Sequence, residues 1–535
     1  MRLNVWSDSF SVNDELRRAE RRRPFDVDGL RRLAAESVHR SPDDVVSLRK
    51  LAEGGFNRVF LITMRDGFRM IARIPYPVTE PKYLAVASEV ATLAFLRGIG
   101  LPTPEIYQYS PTPDNIAGTE YIFMQFIEGA SLVDVFSDLQ VENIIFLLRQ
   151  LAELESKMLL KAFPAGGSLY FTADLARVVG SASGPTQPGI ALKDTRFCVG
   201  PETSLALWYG RRSQLDVDRG PYANAEAALL RGAEKERAYL ERFGRPLLPL
   251  QRVRREAYQY REQHPSEHIQ NLDRYLRIAP YLVARDPSRD HFCIRHPDLQ
   301  PSNIIVSWSP ESKSYVIAGL IDWQHTAVLP LSLHAGIPPR LQNYDDPAWH
   351  PMTPPALPEN FEDMDETRRE SEMERYHRRL LHYHYVENTR KYNILHYAAL
   401  TDPVGALRRR LFHQARAPWE GETLPLKIPL IQATENWERL VGEGVPCPIA
   451  FEPDDVRETM KLDAEVREMD GYVEVVRDKI GVGPDDWVPA EHYEEAMARS
   501  RKLKEVGLAA SDNEEERALF DAHWPFDDMD EEDYM

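Results

Sequence analysis

Cysteine is scarce in this 535-residue chain. Cys198, Cys293 and Cys447 lie far apart with no C-x-x-C pair. That excludes a cysteine-based zinc motif, gives no disulfide framework and fits a reducing compartment. Long apolar runs are also missing: none approaches the roughly 20 residues that span a bilayer, and no secretory signal opens the chain. A basic excess is absent. The 65 Lys and Arg stand against 84 Asp and Glu, a net charge of -19, which argues against a nucleic-acid-binding face. The first 40 residues hold Arg21 to Arg23 but also Asp8, Asp14, Glu15, Glu20, Asp26, Asp28 and Glu36, a weak mitochondrial presequence at best. There is no internal repeat.

The acid is unevenly placed. From Asp512 to Met535 eleven Asp or Glu accompany one basic residue, Arg517, which predicts a solvated, mobile tail. The body is only mildly acidic, and its length allows roughly two to four domains or lobes.

Residues 13–38 read as helix, with Leu30, Leu33 and Ala34 at helical spacing. From Val46 the pattern turns to strands: apolar bursts around Leu51, at Val59 to Ile62 and at Phe68 to Ile74 are separated by Gly54-Gly55 and by Asp66-Gly67, a hairpin signal. A helix over Leu84 to Leu96 and two further strands, in "GIGLPTPEIYQYS" and "EYIFMQFIEG", complete an antiparallel lobe. After Gly129 the character is helical, beginning with an amphipathic helix from Val141 to Phe163. Residues 164–235, rich in Gly and Pro, read as an insertion. Helices are expected at 224–242, 251–285, 361–400, 430–442, 452–480 and 491–508. The fold class expected is α+β in two lobes. The divisions are 1–45, an N-terminal helical extension; 46–127, a small antiparallel-sheet lobe; 128–450, a large helical lobe; and 451–535, a helical and acidic extension.

One stretch of the helical lobe is polar and strand-like. "IRHPDLQPSNIIVSW" opens into a strand, turns at Ser309 to Ser314, and returns through "YVIAGLIDWQH". The hairpin presents Asp298 and Asn303 at one end and Asp322 at the end of the returning strand. Hard divalent cations take oxygen ligands, and Mg²⁺ uses one or two protein oxygens plus substrate phosphates. Asn303 and Asp322 suit that role. Asp298 is then left to accept a proton from an attacking hydroxyl.

H-x-D-x-x-x-x-N followed by an apolar strand and Ile321-Asp322-Trp323 resembles the aminoglycoside and choline kinase type of phosphotransferase, a branch of the protein-kinase-like fold. "LAEGGFNRVFLI", "ASEVATLAFL" and "IDWQHTAVLPL" resemble the fungal altered-inheritance-of-mitochondria phosphotransferase-like proteins. The resemblance covers roughly residues 46–450. It implies a two-lobe kinase-like fold with ATP and Mg²⁺ between the lobes and a small-molecule hydroxyl as acceptor. Asp298 then matches the catalytic base, Asn303 and Asp322 the metal ligands, and Gly54 and Gly55 the phosphate-covering loop. Arg73 stands where a strand-borne lysine is usual, and Glu89 matches its helix partner. Met124, Gln125, Phe126 and Ile127 match the hinge that receives adenine. A mitochondrial location is implied by the resemblance alone, with the cytoplasm as alternative. The insertion leaves room for a protein partner.

The chain departs from the pattern in four places. Pro297 replaces the usual Arg or Gly, Gln300 stands where relatives often carry His, Trp323-Gln324 follows Asp322 instead of Phe-Gly, and the glycine loop is a bare Gly-Gly. These departures, with Arg73, keep open an alternative: a non-catalytic nucleotide-binding or scaffold protein. Other residues take plainer readings. His296 orients its loop, and Cys198 is a small buried side chain. Arg408 to Arg410 cap a helix or face solvent. His377, His382, His384 and His396 read as a solvated or core-edge face, since no zincin-type carboxylate accompanies them.

Overall fold

A computed structural model describes residues 13–180, 188–343, 353–482, 488 and 492–535. Residues 1–12 of the expected N-terminal extension and 181–187 of the insertion lie outside the described residues.

The small lobe is a five-stranded antiparallel sheet of Val45–Glu53 (β1), Asn57–Met64 (β2), Arg69–Pro75 (β3), Ile106–Ser110 (β4) and Tyr121–Gln125 (β5), in the order β1-β2-β3-β5-β4. Alternation gives the sheet two faces. One carries Ile62, Met64, Met70, Ala72, Ile74 and Phe123. The other carries Ile71, Ile122 and Met124 against Val86 and Val90 of Lys82–Gly98 (α3).

The expected helix over 13–38 is two, Asp14–Glu20 (α1) and Val27–Ser37 (α2), because the chain breaks at Pro24. Helix α2 starts at Asp26, whose side chain accepts from the Gly29 N–H. It buries Leu30, Ala34 and Ala35 on the outer face of the sheet. Gly29 is needed there, since a Cβ would come 2.2 Å from the Ile116 carbonyl oxygen.

The large lobe is built on the apolar stripe of Val141–Leu159 (α5), which follows the short Leu132–Val135 (α4). Its stripe packs into one large core with the strands of the polar hairpin, Ile304–Ser309 (β11) and Ser314–Leu320 (β12), which Ala130–Ser131 (β6) joins as third strand. Phe292–Ile294 (β10) and Val328–Pro330 (β13) form a separate antiparallel pair. The two-lobe, kinase-like α+β fold read from the sequence is the fold observed.

The insertion contains a small sheet that the sequence reading passed over: Ser168–Phe171 (β7), Ile190–Ala191 (β8) and Phe197–Gly200 (β9), in the order β7-β9-β8. Tyr170, Leu175 and Cys198 pack on Leu84 and Ala87, so the insertion lies against α3. Of the expected helix over 251–285 only Pro265–Ile278 is α-helical, and 424–441 holds two helices, Leu424–Glu435 and Trp437–Val441. The acidic tail is solvated only in part: residues 512–518 are exposed and the helix Glu514–Ala522 buries no residue, while the stretch beyond it packs. Trp524 and Tyr534 are buried, Tyr534 donates to the Leu248 carbonyl (2.7 Å), and Asp528 accepts from the Asn13 N–H. The apolar residues between the acids outweigh the charge run, whose carboxylates meet arginines such as Arg17 and Arg245. Arg408 also turns inward, pairing with Asp402 (2.9 Å) and donating to the Leu440 carbonyl. His382 and His396 are buried, and each accepts a backbone N–H, from Asn343 and Gly336.

Candidate active site

Two short pairings decide where the polar loops meet. The loop 295–303 leaves β10 and enters β11, while the segment 321–327 leaves β12 and enters β13. Because β10 pairs with β13 and β11 with β12, the two loops are held side by side. The Ile321 N–H donates to the Asn303 carbonyl (3.0 Å), which locks the junction.

His296 ties the loops from beneath. Its Nδ1 accepts the Asp298 N–H (3.1 Å), so Nε2 carries the ring proton and donates to the Ile321 carbonyl (2.9 Å). Burial pushes its pKa down to about 4, so the ring is neutral near pH 7. Asp298 is exposed, and its Oδ2 accepts from Gln300 Nε2 (2.6 Å) and Asn303 Nδ2 (3.2 Å). Asn303 Nδ2 also donates to the Asp298 carbonyl (2.8 Å), which fixes the amide with nitrogen toward Asp298 and oxygen away from it. No described residue donates to that oxygen.

Asp322 is one of two non-glycine residues in this segment with left-handed backbone, φ 64°, the other being His325 at 61°. Strained residues of this kind persist only where the surroundings hold them. Trp323 is fully buried between them and donates to the Leu320 carbonyl (3.0 Å), while His325 Nδ1 bonds the Thr203 carbonyl (2.8 Å) of the insertion. The Asp322 side chain is half exposed, and its Oδ1 accepts from Arg73 Nη2 (2.7 Å). Burial would raise its pKa, but the Arg73 charge outweighs that and holds it below the ordinary value.

Arg73 is buried between the lobes. Nη1 pairs with Glu89, and Nη2 also reaches Gln324 Oε1 (2.9 Å). The same Gln324 oxygen accepts from Asn57 Nδ2 (2.6 Å), the first residue of β2. Nε of Arg73 is buried and meets no acceptor among the described residues. Burial pushes the Glu89 carboxyl up to about 7, against the pull of Arg73. Asn57, Gln324, Arg73, Glu89 and Asp322 are therefore one hydrogen-bonded chain running from the glycine turn to the metal-candidate carboxylate.

The glycine turn itself is short. The Gly54 N–H donates to the Asn57 carbonyl (2.9 Å), and Phe56 sets its ring edge-on to His325 at 5.3 Å. Neither Gly54 nor Gly55 has left-handed backbone, and a Cβ at either would meet nothing closer than 3.9 Å. The folded chain alone does not require glycine there. Met124 and Gln125 lie inside β5, paired with Ile71 and Met70, whereas Phe126 and Ile127 lead out of the sheet. Phe126 lies under the Arg69 guanidinium (4.5 Å), and Ile127 covers Gly319 of β12. The structure thus ties Arg73, Glu89 and Asp322 to one another and Asn303 to Asp298 through direct bonds, sets the two groups side by side at the Ile321–Asn303 junction, places the glycine turn against the same segment through Phe56, and sets 124–127 where the lobes join.

Four residues of the site escaped the sequence reading. Gln324 and Asn57 gave no signal beyond adjacency to motif residues. Arg295 and Glu155 did: a carboxylate on the apolar stripe of α5 demands a buried cation. Arg295 Nε meets Glu155 Oε1 at 2.8 Å, and Tyr385 donates to Oε2 (2.6 Å). That anchor sits one residue before His296. Among the described residues no three His, Cys, Asp or Glu side chains converge on a metal position. The candidate metal donors are one carboxylate and one amide oxygen.

A model of the phosphotransferase enzyme family matches residues 47–332, from β1 to just past β13. The chain belongs to that family. Among curated relatives, a subtelomeric hrmA-associated cluster protein of Aspergillus fumigatus is 29% identical, over 90% of this chain and 97% of its own. Altered inheritance of mitochondria protein 9, mitochondrial, of Clavispora lusitaniae is 23% identical, over 92% of this chain and 86% of its own. Solved structures similar to this phosphotransferase-family chain include the streptomycin-ATP-APH(2")-IIa ternary complex (TM-score 0.34, 11% identity, 74% of this chain and 94% of that one). They also include the macrolide 2'-phosphotransferase MphH apoenzyme from Brachybacterium faecium (TM-score 0.27, 14% identity, 74% and 99%).

Proposed function

We propose that this chain transfers the γ-phosphoryl group of ATP, with Mg²⁺, to a hydroxyl of a small molecule. The observation that carries the reading is the convergence of Asp298, Asn303 and Asp322 on one hairpin mouth, with Arg73 of the small lobe bonded to Asp322. Asp298 accepts the hydroxyl proton as the acceptor oxygen bonds to phosphorus and the bond to the ADP oxygen breaks. Gln300 and Asn303, both donating to Oδ2, hold that carboxylate in place. The Asn303 amide oxygen and Asp322 Oδ2 take no hydrogen bond from the described residues, and both are hard donors suited to Mg²⁺. When bound there, Mg²⁺ neutralises charge on the transferring phosphates. The buried, unpaired Nε of Arg73 supports a phosphate oxygen as its acceptor. The open space above Gly54 and Gly55 supports close approach of phosphates to that turn, and residues 124–127 would receive the adenine.

One observation favours the non-catalytic alternative. With Arg73 bonded to both Glu89 and Asp322, its cation is already engaged without a ligand. A thermal-shift titration with ATP and Mg²⁺ tests both ATP-based readings, since a ligand bound only to the native state must raise its stability. No shift at millimolar nucleotide overturns both, and a shift without turnover selects the alternative. The mitochondrial name of the relatives suggests that location for this chain, with the cytoplasm as alternative. Organelle fractionation decides it.

A further inference from the structure

A basin of about 410 Å³ lies against the small lobe, lined by Arg18, Arg21, Arg22, Arg23, Arg58 and Glu53. It is not the cleft. Glu53 pairs with Arg58 across β1 and β2, and Arg58 with Ile74 across β2 and β3, so these side chains share the face that α2 covers. Arg73, one residue from Ile74, points to the other face.

The charges of the basin do not cancel. Glu53, its one carboxylate, is held by Arg58 (2.6 Å), Lys50 (2.9 Å) and the Tyr76 hydroxyl (2.9 Å). Arg23 is committed to Glu120 and Thr119. Arg21 and Arg22 pair with no carboxylate among the described residues. Among the described residues two guanidiniums therefore stand uncompensated in one concavity of a chain whose net charge is -19.

The basin is also built. Pro24 ends the arginine run between α1 and α2. Helix α1 is tied at Asn13 and Arg17 to Asp528 and Glu531, and Arg23 is tied to β5's leading residues. A run of arginines on a free segment would spread apart; these are anchored on both sides.

We propose that this basin binds a phosphate group as its dianion, with Arg21 and Arg22 as the principal ligands. Guanidinium forks match phosphate oxygens two at a time, and two uncompensated cations match a doubly charged monoester or diphosphate end. The proposal stands apart from the catalytic reading, since no residue is shared. The phosphate could belong to a soluble molecule or to a lipid headgroup.

Isothermal titration of the full chain with inorganic pyrophosphate, and flotation with phosphatidylcholine vesicles with and without phosphatidic acid, test it. The double variant Arg21→Ala/Arg22→Ala should lose about tenfold or more in affinity for whichever probe binds, at an unchanged melting temperature. Arg32→Ala/Arg49→Ala, which removes two exposed arginines elsewhere on the lobe, should stay within about twofold. Binding of pyrophosphate assigns a soluble ligand, and binding of phosphatidic acid vesicles alone assigns a headgroup. Failure of both probes, equal loss in the two double variants, or no loss in the first overturns the proposal.

Discussion

Arg73 and Asp322 lie 249 positions apart and share a hydrogen bond of 2.7 Å. That bond joins the third strand of the small lobe to the segment that follows the polar hairpin. Gln324 doubles it by accepting from Arg73 and Asn57 together. One guanidinium therefore joins the small lobe directly to the candidate metal carboxylate, beside the Asn57–Gln324 bond and the Phe56–His325 contact that place the glycine turn. A lysine could not reproduce this, because it lacks the planar fork that reaches three acceptors in one geometry.

Arg73→Met should lower the melting temperature and weaken ATP binding by about tenfold or more. The stability loss comes from Glu89, left buried without its cation, and Arg73→Met/Glu89→Gln should recover much of it because the amide carries no charge. ATP affinity should stay low in the double variant. Differential scanning fluorimetry and nucleotide titration of the three proteins check this. A double variant that binds ATP like the wild type rejects Arg73 as a phosphate ligand.

Asp298→Asn should leave ATP affinity within about twofold and abolish turnover, since in the proposed transfer the carboxylate acts on the proton and not on the nucleotide. Asp322→Ala should instead lose the Mg²⁺ dependence of nucleotide binding. Titrations with and without Mg²⁺ separate the two, and equal loss of binding in both variants contradicts the division of roles.

Much of this site was readable because its residues sit in runs whose local chemistry admits few alternatives. Asp298 and Asn303 lie in a Pro- and Ser-rich turn before an apolar strand, and Asp322 closes the returning strand. Two strands of one hairpin must bring such residues together whatever surrounds them. Gln324 and Asn57 were not legible, because an amide signals nothing until its partner is placed 267 positions away. The insertion's sheet was missed for a related reason: its strands have two to four residues, too short for alternation to register. The packed end of the tail was not legible because charge dominates its composition, while Trp524 and Tyr534 decide its packing.

Acid should destabilise the protein through its buried neutral histidines. His268 is buried beside Thr423 and Asn271, and burial is the main cause holding its pKa down to about 4, from an ordinary 6.5. Below pH 6.5 the unfolded chain takes up a proton that the folded chain refuses, so stability falls until the pH reaches about 4. This residue alone should cost about 2 kcal/mol between pH 8 and pH 5. Urea unfolding at the two pH values, for wild type and His268→Gln, should show a smaller pH dependence in the variant. An identical dependence shows that His268 charges in the folded state.

The last expectation concerns Glu155 and Arg295. Glu155 is fully buried on α5, and Arg295 fixes it with two nitrogens while donating to the carbonyls of His334 and Gly336 (2.8 Å each). Glu155→Leu strands a guanidinium in the core and should cost about 3–5 kcal/mol. Arg295→Met strands the carboxylate and frees both carbonyls, so its cost should be at least as large. Removing both charges avoids either stranded ion, and the double variant should be less destabilised than the sum of the singles by about 2 kcal/mol or more. Urea unfolding of the four proteins closes the cycle, and additive losses would show that the pair contributes no coupling. Function should follow the same order. Arg295 immediately precedes His296, whose two ring nitrogens register Asp298 against Ile321. Slackening that anchor should lower kcat for the transfer while leaving ATP affinity near that of the wild type, because Arg73 and Asp322 are held from the other side.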